Sequence, residues 1–178
     1  MHKHALWITR TAIFIALLIV TQAVTVAFGN QFITGSAVNL ILIIATMTCG
    51  LPSGLTVGLI SPVFATFLGL GPQFPPIIPV MMLGNAVLTV AWGLIGNQVI
   101  ISKHVSRVIA LVAGALSKYL VLYFGVVHIA IPLFMDLPEE RAAVISGIFS
   151  IPQLITASIG GTIAVIILPV MKKAIRQE

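Results

Sequence analysis

No Asp, Glu, Lys or Arg occurs anywhere between Arg10 and Lys103. A stretch that long and that apolar cannot form the surface of a water-soluble domain. The charges that do occur are grouped. Seven of the nine Lys and Arg residues fall into three clusters: Lys3 and Arg10, Lys103 and Arg107, and Lys172, Lys173 and Arg176. Over the whole chain 59% of the residues are hydrophobic and only 7% charged, with a mean hydropathy of +1.17. This spacing reads as a polytopic membrane protein with every basic cluster on the cytoplasmic side. The formal charge of +5 is therefore read as a set of topology determinants that also meet anionic headgroups, not as a nucleic-acid surface. Cys49 is the only cysteine, which excludes an intrachain disulfide and a multi-cysteine metal site.

A membrane-crossing helix needs roughly 20 apolar residues. Candidates lie near 6–28, 36–50, 52–70, 77–99, 105–130 and 142–171. The first follows Lys3 and Arg10 as a signal peptide would, but it runs to about Phe28 with no small-x-small cleavage site and is expected to stay as a span. The run from 36 to 70 is too long for one span and is divided at Gly50-Leu51-Pro52-Ser53-Gly54, which has the chemistry of a tight turn. The expected fold is thus all-α: one domain over 1–178, a bundle of six transmembrane helices with both termini cytoplasmic. Arg141, beside Asp136, Glu139 and Glu140, is the only basic residue expected in an outer connection. Another outer connection reads Gly71-Pro72-Gln73-Phe74-Pro75-Pro76, whose prolines favour an irregular, stiff segment over a cavity mouth.

No carboxylate falls inside a span, which argues against a transporter or pump built on intramembrane acid relays. The spans do hold Asn39, Ser61, Asn85, Lys118, Tyr119, Tyr123, His128 and Gln153. On the expected topology Asn39 and Asn85 lie toward the outside, Lys118 and Gln153 nearer the middle, and together they could line a pocket open to the outside. Lys118 is the costliest, at about 2.5 to 3.5 kcal/mol for a mid-bilayer charge on insertion scales. Either it meets a ligand anion or polar group in a wet pocket, or it snorkels or bonds internal carbonyls. Asn39 and Asn85 suit ligand hydroxyls or amides, and equally suit interhelical bonds. Gln153 follows Pro152, so it serves a ligand or repairs a kink. Tyr119 and Tyr123, four apart on one helix face, form an aromatic wall, an interfacial belt or simple packing. His2, His4 and His104 have no ligand-like spacing, and no metal or cofactor is assigned.

Ala12-Ile-Phe-Ile-Ala16 in the first span forms an AxxxA pattern. A second block runs from Gly35-Ser36-Ala37-Val38-Asn39 through Gly50-Leu51-Pro52-Ser53-Gly54 and Ser61-Pro62 to Leu83-Gly84-Asn85. Together with the six-span layout, these resemble the substrate-binding S component of an energy-coupling factor (ECF) vitamin transporter over nearly the whole chain. The resemblance implies a subunit that binds a vitamin from outside and docks on one transmembrane coupling subunit and two ATP-binding subunits. It also implies that Ala12 and Ala16 contact the coupling subunit. The lack of a GxxxxGK[ST] phosphate loop agrees with an energy source outside the chain.

Within that frame Lys118, Asn39, Asn85 and Gln153 suit a small molecule with one carboxylate plus hydroxyl or amide groups. Pantothenate fits best, with cobalamin-type, hydroxymethylpyrimidine or pyridoxine-like ligands as alternatives. A self-sufficient small transporter or channel is the main competing class. An intramembrane enzyme is disfavoured, since no HExxH and no membrane nucleophile with a base at comparable depth occurs.

Overall fold

A computed structural model of the chain describes residues 2–67, 69, 74–100 and 102–175. Every regular element among them is helical. In chain order they are α1 (His2–Val26), α2 (Gln31–Cys49), α3 (Leu51–Phe67), α4 (Ile77–Ile95) and α5 (Lys103–Leu122). A π-helical segment (Tyr123–Ala130) and one short turn, α6 (Ile131–Phe134), extend α5, and α7 (Glu139–Ile148) and α8 (Ile151–Ile175) follow. Among the described residues five helical stretches are long and apolar enough to cross a membrane, and the shorter apolar α3 is the sixth traverse. The polytopic all-α bundle is therefore the fold. Traverse order puts the start of α1, the connection before α5 and the end of α8 at one end of the bundle. That end carries the basic clusters, so the positive-inside rule makes it cytoplasmic.

Three boundaries differ from expectation, each for a local reason. The α2–α3 connection is a single residue, Gly50, at φ 94° and ψ 164°. Only glycine adopts that backbone cheaply, and Pro52 follows inside the first turn of α3, where a missing N–H costs nothing. The second span begins at Gln31 instead of near 36, because the Asn30 side chain caps it by accepting from Phe32 N at 2.9 Å. The last apolar run divides at Phe149–Ser150, just before Pro152, leaving a separate α7 with no fully buried residue, although its Ala142 and Ile145 pack against the cluster around Ile77 and Leu122. Asn39 consequently lies near the middle of its helix, while Gln153 falls in the first turn of α8, shallower than expected. Of the proline-rich connection at 71–76, residues 71–73 lie outside the described residues.

The cytoplasmic half of the bundle is filled by Leu42, Ile43, Val57, Leu88, Trp92, Ala164 and Leu168, all fully buried. Trp92 is accommodated by two glycines. A Cβ on Gly114 would lie 3.2 Å from its Cδ1, and one on Gly161 3.5 Å from its Cζ2. A close backbone approach joins α8 to α2: a Cβ on Gly160 would sit 2.6 Å from the Ser36 carbonyl oxygen and 2.9 Å from Asn39 Cβ. Small residues let membrane helices meet backbone to backbone in this way. Gly160→Val should accordingly cost about 1–3 kcal/mol of overpacking, read as a lower unfolding temperature in detergent. Wild-type stability in this variant would show that α2 and α8 can separate freely.

Candidate functional site

Above that apolar plug, toward the outer end, the bundle encloses a cavity of about 370 Å³. Gln22 and Val26 of α1, Asn30 before α2, Asn39, Ser61 of α3, Asn85, Lys118 and Gln153 are among its lining residues. The volume lies within the roughly 300–1,000 Å³ of small-molecule pockets. Every traverse contributes a polar residue to it.

Lys118 forms the floor. It is 5% exposed, and its ammonium donates to Asn39 Oδ1 at 2.6 Å and to Asn85 Oδ1 at 2.8 Å. The side chain is thus held inside the bundle by two amide oxygens and does not snorkel to an interface. Because both amides present oxygen to Lys118, both NH₂ groups must find acceptors elsewhere. Asn85 Nδ2 donates to the Gly58 carbonyl at 3.0 Å. That carbonyl is available because its helical partner four residues on is Pro62, which has no N–H. Asn39 Nδ2 donates to Thr156 Oγ1 at 3.4 Å, and Thr156 donates on to the Gln153 carbonyl at 3.1 Å. The proton directions around Lys118 are therefore fixed as far as α3 and α8. Asn39 and Asn85 hold the ammonium in place, and their own hydrogen-bonding atoms are already engaged.

Gln153 repairs a kink. Pro152 leaves the Ile148 carbonyl without a helical donor, and Gln153 Nε2 supplies one at 3.2 Å, so Oε1 is the end left for the cavity. Tyr119 and Tyr123 are not among the lining residues. They stack on each other at 5.7 Å, and Tyr123 meets Phe124 and His128 edge to face. The group lies on the face of α5 and its π-helical extension occupied by exposed Phe124 and His128. Gln22 and Thr156 escaped the sequence reading, Gln22 because a single polar residue near the end of an apolar run does not disclose which way it faces.

An ammonium has three donors, and the structure gives Lys118 two partners, both neutral. No carboxylate is present in any span to balance it. A protonated Lys118 therefore has no carboxylate partner among the described residues, and in this low-dielectric setting an anion at the floor of the cavity gains most.

A membrane bundle with a closed cytoplasmic half and a polar cavity at its outer end defines a membrane-embedded binding protein for a small molecule. The chain belongs to the family of ECF transporter substrate-specific components, whose family model matches residues 7–171. Neither the curated proteins nor the solved structures give a significant match. It is accordingly a multi-pass protein of the bacterial cell membrane and a substrate-binding transport subunit, not an enzyme. Membership also implies a small-molecule substrate and an energising partner module.

Proposed function

We propose that this chain captures a small vitamin bearing a single carboxylate, pantothenate fitting best, and delivers it by docking on a coupling subunit energised by two ATP-binding subunits. The carrying observation is Lys118: buried, held by two neutral amide oxygens, and facing the cavity without an anionic partner. A ligand carboxylate supplies the missing counter-charge through a charge-assisted bond. The other ligands fit less well. A cobalamin-type molecule is too large for about 370 Å³, and hydroxymethylpyrimidine or a pyridoxine-like compound brings no carboxylate to Lys118.

Docking is assigned to Ala12 and Ala16. Both are exposed on α1, one helical turn apart, with Thr11 on an adjacent face turned inward to Ser53 at 2.8 Å. Two alanines on one exposed face leave a shallow groove into which a partner helix can pack closely. The apolar plug around Trp92 supports dependence on a partner, since the cavity has no passage through the cytoplasmic half. Proteoliposomes test this. The chain alone is expected to bind labelled pantothenate without accumulating it, and uptake should appear only with the coupling and ATP-binding subunits plus ATP. Robust uptake by the chain alone would instead establish a self-sufficient transporter.

A further inference from the structure

A second polar group faces the same cavity across from Lys118, on the α1–α3 side. Gln22 is 6% exposed and Ser61 2% exposed, and both line the cavity. Gln22 Nε2 donates to Ser61 Oγ at 3.4 Å, while Gln22 Oε1 is buried and has no hydrogen-bond partner among the described residues. Whichever end of the amide meets Ser61, the other end is left unpaired, because a terminal amide has one oxygen and one nitrogen. Among the described residues the Ser61 hydroxyl hydrogen likewise has no acceptor when the oxygen receives the Gln22 amide. Buried polar atoms are nearly always satisfied, so an orphan pair at a cavity wall marks a place for a ligand atom.

The contrast with the floor is informative. Asn39 and Asn85 have every amide end engaged, whereas Gln22 and Ser61 together offer one acceptor and one donor. We infer that Gln22 and Ser61 form a second recognition point that binds an uncharged hydroxyl or amide of the substrate, at a distance from the carboxylate held by Lys118. The substrate class is then a carboxylic acid carrying an alcohol or amide elsewhere on its chain. A hydroxyl satisfies both wall atoms at once, since it donates to Gln22 Oε1 and accepts from Ser61. This deepens the carboxylate reading proposed above for the same cavity, but its evidence is separate.

Titration of the full-length protein in detergent with three probes tests it. The probes are pantothenate, pentanoate, which keeps the carboxylate but lacks hydroxyl and amide, and panthenol, in which an alcohol replaces the carboxylate. Gln22→Met should weaken pantothenate and panthenol about tenfold, as for loss of one neutral hydrogen bond from an otherwise satisfied site, and leave pentanoate unchanged. Ser61→Ala should do the same, and retained pentanoate binding shows that either variant is folded. Lys118→Met should weaken pantothenate and pentanoate but not panthenol. Equal weakening of all three probes by both Gln22→Met and Ser61→Ala, or of none by either, would overturn the second recognition point and leave the role of Lys118 intact. Unaltered pantothenate and pentanoate binding in Lys118→Met, with the Gln22 effect present, would remove the carboxylate reading alone. Wild-type protein that binds none of the three would overturn both.

Discussion

Replacing Lys118 with Met should lower pantothenate affinity at least about 30-fold, and about 100-fold or more over most of the expected range, while the empty protein keeps its fold. Removing one member of a buried, hydrogen-bonded charge pair costs roughly 2–5 kcal/mol, and about 2.7 kcal/mol already corresponds to 100-fold. Folding should respond much less, because two opposed effects nearly cancel. The substitution removes a buried charge, costly in itself at about 2.5–3.5 kcal/mol on insertion scales. It also strips the donor from Asn39 Oδ1 and Asn85 Oδ1, at about 1–3 kcal/mol for each oxygen left unsatisfied. Titration calorimetry and thermal unfolding of the same preparation separate the two quantities. A variant that binds as tightly as wild type would mean that Lys118 serves only the internal network.

The second large effect is expected on the exposed face of α1, midway along that helix. Ala12→Trp combined with Ala16→Trp should abolish co-purification with the coupling and ATP-binding subunits and reduce ATP-dependent uptake more than tenfold. Pantothenate binding by the isolated subunit should stay within about twofold of wild type. Both positions are exposed and neither lines the cavity, so the indoles project away from the bundle. Two indoles on adjacent turns of one face fill the groove that close helix packing requires. Full assembly in the double variant would place the docking surface elsewhere on the subunit. Loss of ligand binding together with assembly would show that α1 had lost its register against α3.

The number and direction of the spans were legible because membrane topology rests on a few charges, and these charges are unevenly placed. Lys118, Asn39, Asn85 and Gln153 stood out for the same reason, as polar atoms in apolar runs. Their mutual arrangement was not legible. That Lys118 sits between two amide oxygens depends on how α2, α4 and α5 converge, with the close approaches at Gly58 and Gly160 seating Asn85 of α4 against α3 and Asn39 of α2 against α8. Pro62 and Pro152 read as helix breakers, yet their effect on the site is chemical: each frees a carbonyl that then fixes the orientation of an amide, at Asn85 and at Gln153. Tyr119 and Tyr123 looked suited to a pocket wall because, four apart, they share one helix face. A residue one position on from Lys118 is turned about 100° around the helix, enough to take Tyr119 out of the cavity and into a stack with Tyr123. Gln22 was hidden by the reverse problem, since nothing in an apolar run near a span end says which residue faces inward.

The charge at the floor of the cavity is the central claim, and the small molecules retained by the purified protein test it most directly. Mass spectrometry of the compounds released on denaturation should find a carboxylic acid in near-stoichiometric amount with wild type, and none with Lys118→Met purified in parallel. A neutral or cationic compound retained equally by both proteins would contradict it.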